Sequence, residues 1–182
     1  MSSKAVIVVD IQNDYFEGGA FPLYRQKEAA ANAALVIAKA REDKVPVIFI
    51  QHLSESMFFI KDTPGAEINE MVKPLEGEKI IQKWFPNSFR GTSLAADLEA
   101  LGGPKAVELT IVGSMSQMCI EATTRAAADM EYKCIVVEDA CAAPAQAFNG
   151  VEVSPQQTHA VAMSALSFGY AKIVTTEEYL KA

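Results

Sequence analysis

Ala5-Val6-Ile7-Val8-Val9-Asp10 is an unbroken apolar run ended by a carboxylate. A strand with one face in water alternates apolar and polar residues. A continuous Val/Ile run instead marks a strand buried on both faces, as in a parallel sheet. The run is read as a strand over Ala5–Ile11, and comparable runs recur at Val47–Ile50, Ile80–Gln82, Val107–Val112, Cys134–Val137 and Ala171–Val174. The third is short and flanked by lysines.

The intervening segments have helical composition. Lys27–Arg41 is rich in Ala, Lys and Glu. Thr92–Leu101 has a cap at Thr92 and a stop at Gly102-Gly103-Pro104. Gln117–Met130 is a third helix, and Ser154-Pro155 opens a fourth with Ser as N-cap and Pro in the first turn. Six strands alternating with helices predict a three-layer α/β/α, doubly wound, mostly parallel Rossmann-like sheet. No composition shift divides the chain, and 182 residues fit a single domain spanning 1–182. The loop from His52 to Pro64, with Met57-Phe58-Phe59, reads either as a functional lid or as an apolar interface.

Composition narrows the function. Apolar residues make up 50%, charged residues 21%, and the net charge is −7. An acidic chain is a poor binder of nucleic-acid phosphates or anionic membranes. No run is long and apolar enough for a membrane span, and Ala5–Val9 is too short for a signal-peptide core. Three cysteines do not suggest a disulfide framework. A cytoplasmic protein acting on a small molecule is expected.

In open parallel sheets, ligands bind beyond the carboxyl ends of the strands. Asp10 ends the first strand, Gln51-His52 follow the second and Lys83 follows the third. The fourth leads through Gly113 and Ser114-Met115-Ser116 into a helix carrying Cys119, and the fifth ends at Glu138-Asp139. A carboxylate, an ammonium and a thiol converge on one sheet edge. Cys134 and Cys141 read as packed core. Cys119 differs because the first turn of a helix favours a thiolate. No dinucleotide fingerprint, Walker A sequence or G-x-S-x-G elbow is present, and two histidines do not suggest a His-rich zinc site.

Four segments resemble the isochorismatase-like cysteine hydrolases, a family that includes nicotinamidases and N-carbamoylsarcosine amidases. Val8-Val9-Asp10-Ile11-Gln12-Asn13-Asp14-Tyr15-Phe16 is similar to the family's opening Asp-x-Gln-x-Asp-Phe strand end, with one extra residue before Phe16. Lys83-Trp84-Phe85-Pro86-Asn87-Ser88-Phe89-Arg90-Gly91-Thr92-Ser93-Leu94 is similar to its Lys-x-x-x-x-x-Phe-x-x-Thr-x-Leu segment. Gly113 to Thr123 resembles its nucleophile turn, and Val136 to Ala142 its fifth-strand exit.

The resemblance implies Cys119 as nucleophile, Asp10 as general base and acid, and Lys83 as cationic partner. It also implies a cis Ser114–Met115 peptide that aims the Met115 and Cys119 N–H groups at one oxyanion. The implied reaction cleaves a C–N bond of a small amide, ureido or carbamoyl compound through a thioester, without a cofactor. The pocket would be lined by Phe16, His52, Trp84, Phe89 and Met118, with Phe148 as a further candidate.

Nicotinamidases hold a metal through an Asp-x-His pair after strand two. Here that stretch is His52-Leu53-Ser54, so no such metal site is expected and nicotinamide is disfavoured. Isochorismatases proper cleave a vinyl ether and lack the cysteine. That reaction is one alternative; a non-catalytic binder and a redox-sensing thiol protein, with Cys141 as resolving cysteine, are two others. The family also implies a homodimer or larger homo-oligomer.

Overall fold

Val6, Val8 and Val9 are all but inaccessible to solvent, as the unbroken apolar run requires. They belong to strand β1 (Ser3–Val9) of the computed structural model, which describes residues 3–182. The chain continues through α1 (Gln26–Glu42), β2 (Val47–His52), β3 (Lys79–Lys83), α2 (Leu94–Ala100) and β4 (Val107–Ser114). It then runs through α3 (Glu121–Asp129), β5 (Lys133–Ala142), β6 (Gln146–Phe148), β7 (Val151–Val153), α4 (Pro155–Gly169), β8 (Lys172–Val174) and α5 (Thr176–Leu180).

Six strands form a parallel sheet in the order β3-β2-β1-β4-β5-β8. The order reverses between β1 and β4, which opens a crevice at their carboxyl ends. One apolar layer joins Ile7, Val9, Ile50 and Ile111 to Leu94, Leu98 and Leu166. The other joins Val6, Val8 and Phe49 to the Ala30, Ala33, Val36 and Ile37 stripe of α1.

Several boundaries differ from the sequence expectation. β1 stops at Val9 rather than Ile11 because Asp10 turns left-handed, with φ 52°. α2 starts at Leu94, with its N-cap at Ser93 rather than Thr92, whose hydroxyl instead donates to the Ser88 carbonyl at 2.6 Å. β5 does not end at Glu138-Asp139 but runs on to Ala142 after a register shift opposite Gly113. Glu138 and Asp139 fall in that irregularity and do structural work. Asp139 accepts from both the N–H and the hydroxyl of Thr176, at 2.7 Å each, at the start of α5.

The 52–64 loop folds back on its own chain. Phe59 is fully buried, and the rings of Tyr15, Phe21, Phe58 and Phe59 pack with centroids 4.5–6.4 Å apart. Of the expected Met57-Phe58-Phe59 interface only Met57 stands out in solvent. The aromatic pair is spent on internal packing. Among the described residues no helix is long and apolar enough to cross a membrane.

Candidate active site

Asp10 sits where β1 leaves the sheet and is completely buried. A left-handed backbone is uncommon outside glycine, and Asp is among the side chains that tolerate it. Here it turns the chain out of the sheet at the carboxylate. Lys83, the last residue of β3, is equally buried and brings Nζ to 2.8 Å from Asp10 Oδ2. Its ammonium also donates to the Pro86 carbonyl at 2.9 Å.

His52 ends β2 in register with Lys83. Its Nδ1 lies 3.5 Å from Asp10 Oδ2 and 3.7 Å from Cys119 Sγ. The Gln12 side chain fixes His52 by accepting from its N–H at 2.7 Å and donating to its carbonyl at 2.8 Å. Gln12 also donates to the Ala66 carbonyl, tying the far end of the loop to the same point. Asp14 does the complementary work, accepting from the Phe59 and Ala20 N–H groups.

Cys119 lies in a wide, π-helical turn, Ser116–Ile120, between β4 and α3. The peptide bond between Ser114 and Met115 that leads into it is cis. The Cys119 side chain is buried and in hydrogen-bonding reach of both Asp10 and Lys83. The structure thus gathers Asp10, Lys83 and Cys119, three residues far apart in sequence, and adds His52 between them.

The charges follow from burial and proximity. Burial alone would raise the Asp10 pKa, but the Lys83 ammonium and the His52 ring outweigh it and hold it below its ordinary 3.8. Burial likewise works against Lys83, and Asp10 outweighs it, so the ammonium holds its proton above the ordinary 10.5. Burial pushes the Cys119 thiol up, the Asp10 charge pushes further, and Lys83 offsets only part. The resting site is a buried carboxylate–ammonium pair beside a protonated thiol. This corrects the expectation of a helix-dipole thiolate. The turn is π-helical and buried, and burial together with the Asp10 charge raises the thiol pKa.

Cys134 and Cys141 are buried free thiols whose pKa burial pushes up to about 12. Cys141 Sγ packs 3.4 Å from the Val137 carbonyl.

The expected pocket residues divide. Trp84 follows Lys83 and Met118 precedes Cys119, and both are close to half exposed, as rim residues would be. Phe89 stacks on Tyr132 at 6.5 Å as part of the apolar core. Phe16 packs between two core clusters, and Phe148 projects from the β6–β7 hairpin with 78% of its surface exposed. Tyr15 lies within electrostatic reach of Asp10 and Cys119, and its buried hydroxyl is held neutral by burial and by those charges. The signal for it was positional, since Tyr15 stands directly after Asp14, where the family pattern has its Phe.

A second polar array was not foreseen. Ser116 Oγ, next to Met115, lies 2.8 Å from His159 Nδ1 and 3.1 Å from the Ala142 carbonyl. His159 Nε2 is 3.1 Å from Glu138 Oε2. A cavity of about 290 Å³ beside it is lined by Tyr24, Arg25, Glu28, Glu138 and His159, among others, and by none of Asp10, Lys83 or Cys119. As for metals, one donor atom each from Asp10, His52 and Cys119 lies within 4.8 Å of the others.

Comparison with known proteins accords with this geometry. Residues 4–178 match the family model described as an isochorismatase domain. The chain is 43% identical over 182 residues to YddQ of Bacillus subtilis, an uncharacterized isochorismatase family protein, covering 98% of this chain and 99% of that one. It is 25% identical to the ureidoacrylate amidohydrolase RutB of Variovorax paradoxus, over 76% of this chain and 68% of that one. A crystal structure from Oleispira antarctica, assigned as an isochorismatase hydrolase, superposes with a TM-score of 0.93 at 40% identity, covering 100% of this chain and 97% of that one. From the match across 4–178 and from these relatives, the chain belongs to the isochorismatase family of hydrolases.

Proposed function

We propose that the protein hydrolyses a C–N bond of a small amide, ureido or carbamoyl compound, with Cys119 as nucleophile. The observation that carries this is the buried Asp10–Lys83 pair, 2.8 Å apart, against a thiol. A binding protein has no use for a buried base beside a nucleophile. The amidohydrolase relative supports the same bond type.

An amide is a weak electrophile and a neutral thiol a weak nucleophile. With Asp10 strongly acidic and Cys119 weakly so, proton transfer in the empty site is uphill. The proton therefore moves to Asp10 as the sulfur–carbon bond forms. The Met115 and Cys119 N–H groups receive the oxyanion, each such donor being worth roughly 3–4 kcal/mol in other enzymes. Lys83 stays charged throughout. Asp10 then protonates the leaving nitrogen, the C–N bond breaks, and ammonia or an amine departs. Water gives its proton to Asp10 and attacks the thioester carbonyl. The carbon–sulfur bond breaks, and the Asp10 proton returns to sulfur.

His52, Trp84 and Met118 are proposed to bound the substrate, with Tyr15 behind the reacting carbonyl and Phe16 and Phe89 packed behind that wall. Three free, buried cysteines and no disulfide are in keeping with a cytoplasmic location, which we also propose. We also propose a homodimer or larger assembly.

The test is a panel of small amides, carbamoyl and ureido compounds, read by ammonia or amine release and by intact mass. Turnover with a substrate-derived acyl group on the Cys119 peptide supports the reading. Turnover undiminished in Cys119→Ala, or release of a carbonyl product from a vinyl ether without amine, overturns it.

A further inference from the structure

We propose that Asp10, His52 and Cys119 form a preorganised site for a thiophilic divalent cation, zinc foremost, which occupies the nucleophile and reversibly blocks the enzyme. The block rests on the hydrolase reading above; the coordination rests on geometry alone. Zinc binds sulfur at about 2.3 Å and nitrogen or oxygen at about 2.0–2.1 Å, so tetrahedral ligands stand roughly 3.3–3.6 Å from one another. Cys119 Sγ lies 3.7 Å from His52 Nδ1, and that nitrogen 3.5 Å from Asp10 Oδ2. These separations need only slight contraction around an ion.

The donor set is one sulfur, one imidazole nitrogen and one carboxylate oxygen, which suits zinc or cadmium and not magnesium or calcium. Asp10 Oδ1 is buried and has no hydrogen-bond partner among the described residues, so the carboxylate has spare acceptor capacity. Gln12 holds the His52 backbone from both sides, which limits the entropy lost when the ring coordinates. The fourth position is left for water. Three protein ligands and an open position are the pattern of zinc sites that exchange their fourth ligand. The set shares no Asp-x-His pair with the nicotinamidase arrangement.

Binding balances simply. The zinc–sulfur bond forms as the thiol proton leaves to solvent, and no electron is transferred. Lys83 opposes the ion, since its ammonium is 2.8 Å from the carboxylate oxygen the metal needs. The ion is thus an inhibitor under competition and not a resident cofactor.

Cobalt(II) is the probe, because thiolate coordination gives it a near-ultraviolet charge-transfer band and tetrahedral geometry gives it visible bands. Metal-free protein titrated with cobalt alone should develop both, and zinc should erase them. Cys119→Ser should lose the charge-transfer band. His52→Gln should weaken cobalt at least tenfold, and Lys83→Met should tighten it. Cys134→Ser and Cys141→Ser should leave the bands in place. No band in the wild type, or a band that survives Cys119→Ser, overturns the site. Because this reading needs no substrate, its failure is separable from failure of the hydrolase assignment. If turnover is found, zinc should abolish it and a chelator restore it; turnover insensitive to zinc at cobalt-saturating concentrations overturns the block.

Discussion

Burial would leave an isolated carboxyl at position 10 protonated, and the Lys83 ammonium 2.8 Å away reverses that outcome. The sign of the pH dependence follows. Asp10, depressed below 3.8, contributes stability that is present above that value and lost as pH falls through the folded pKa. Lys83, raised above 10.5, contributes stability that is present below that value and lost as pH rises through the folded pKa. The pair therefore supports the fold across the whole neutral range. In Lys83→Met the balance tips to burial. The acid limb of kcat/KM, which in the wild type lies below the ordinary carboxyl range, should move upward. Stability at neutral pH should fall by about 3–5 kcal/mol, the usual cost of orphaning one member of a buried pair. A pH–rate profile and urea melts at several pH values check both; an unmoved acid limb would show that Asp10 is not the base. Cys119→Ala should lower kcat by about three orders of magnitude or more while the melt changes little, since sulfur loss removes chemistry and only a small packing contact.

At the scale of elements, the nucleophile turn depends on one glycine. Gly113 has φ +127°, and a Cβ there would come within 1.9 Å of the Val9 carbonyl oxygen. β1 and β4 approach this closely where Asp10 and the Cys119 turn leave the sheet. Gly113→Ala should cost about 3 kcal/mol or more, and soluble expression followed by thermal melting reads it. A melt within a degree of wild type would mean that the strands can part freely there. The same junction shows what the sequence could and could not reveal. Asp10, Lys83 and Cys119 were legible because each lies at or shortly beyond the carboxyl end of a strand, and strand ends in a parallel sheet share one edge. The extra length of β5 was not, because it pairs with β4 across a register shift that no apolar run announces. The β6–β7 hairpin had a signal in Asn149-Gly150, both with positive φ, but its strands are exposed three-residue pieces without a core pattern. α5 is five residues long, too short for periodicity, though Thr175 and Glu178 form a capping box. His159 was invisible as a partner of Ser116, since only the folded sheet brings residues 43 apart in sequence together.

Across the whole molecule, a group of exposed apolar side chains gathers on α4 and the hairpin before it rather than on the 52–64 loop. The phenylalanines of the 52–64 loop are committed to internal packing, while Phe168 and Val161 expose 96% and 68% of their surface. Seven residues apart, they lie on one face of the helix, two turns from each other. Phe148 and Val151, on the hairpin that leads into α4, are 78% and 63% exposed. A stable protein interface buries about 800 Å² per partner around apolar anchors, and these four side chains are candidates for such a centre. Light scattering at micromolar concentration should give at least twice the 19.7 kDa chain mass. Val161→Glu with Phe168→Glu should return it to the single-chain mass. Side chains so exposed make few contacts within the chain, so the double variant should melt within about 1 kcal/mol of the wild type once the loss of assembly is accounted for. A wild type already at single-chain mass would remove the assembly and leave these residues as ordinary surface. A double variant that stays assembled would move the interface to another face of the molecule.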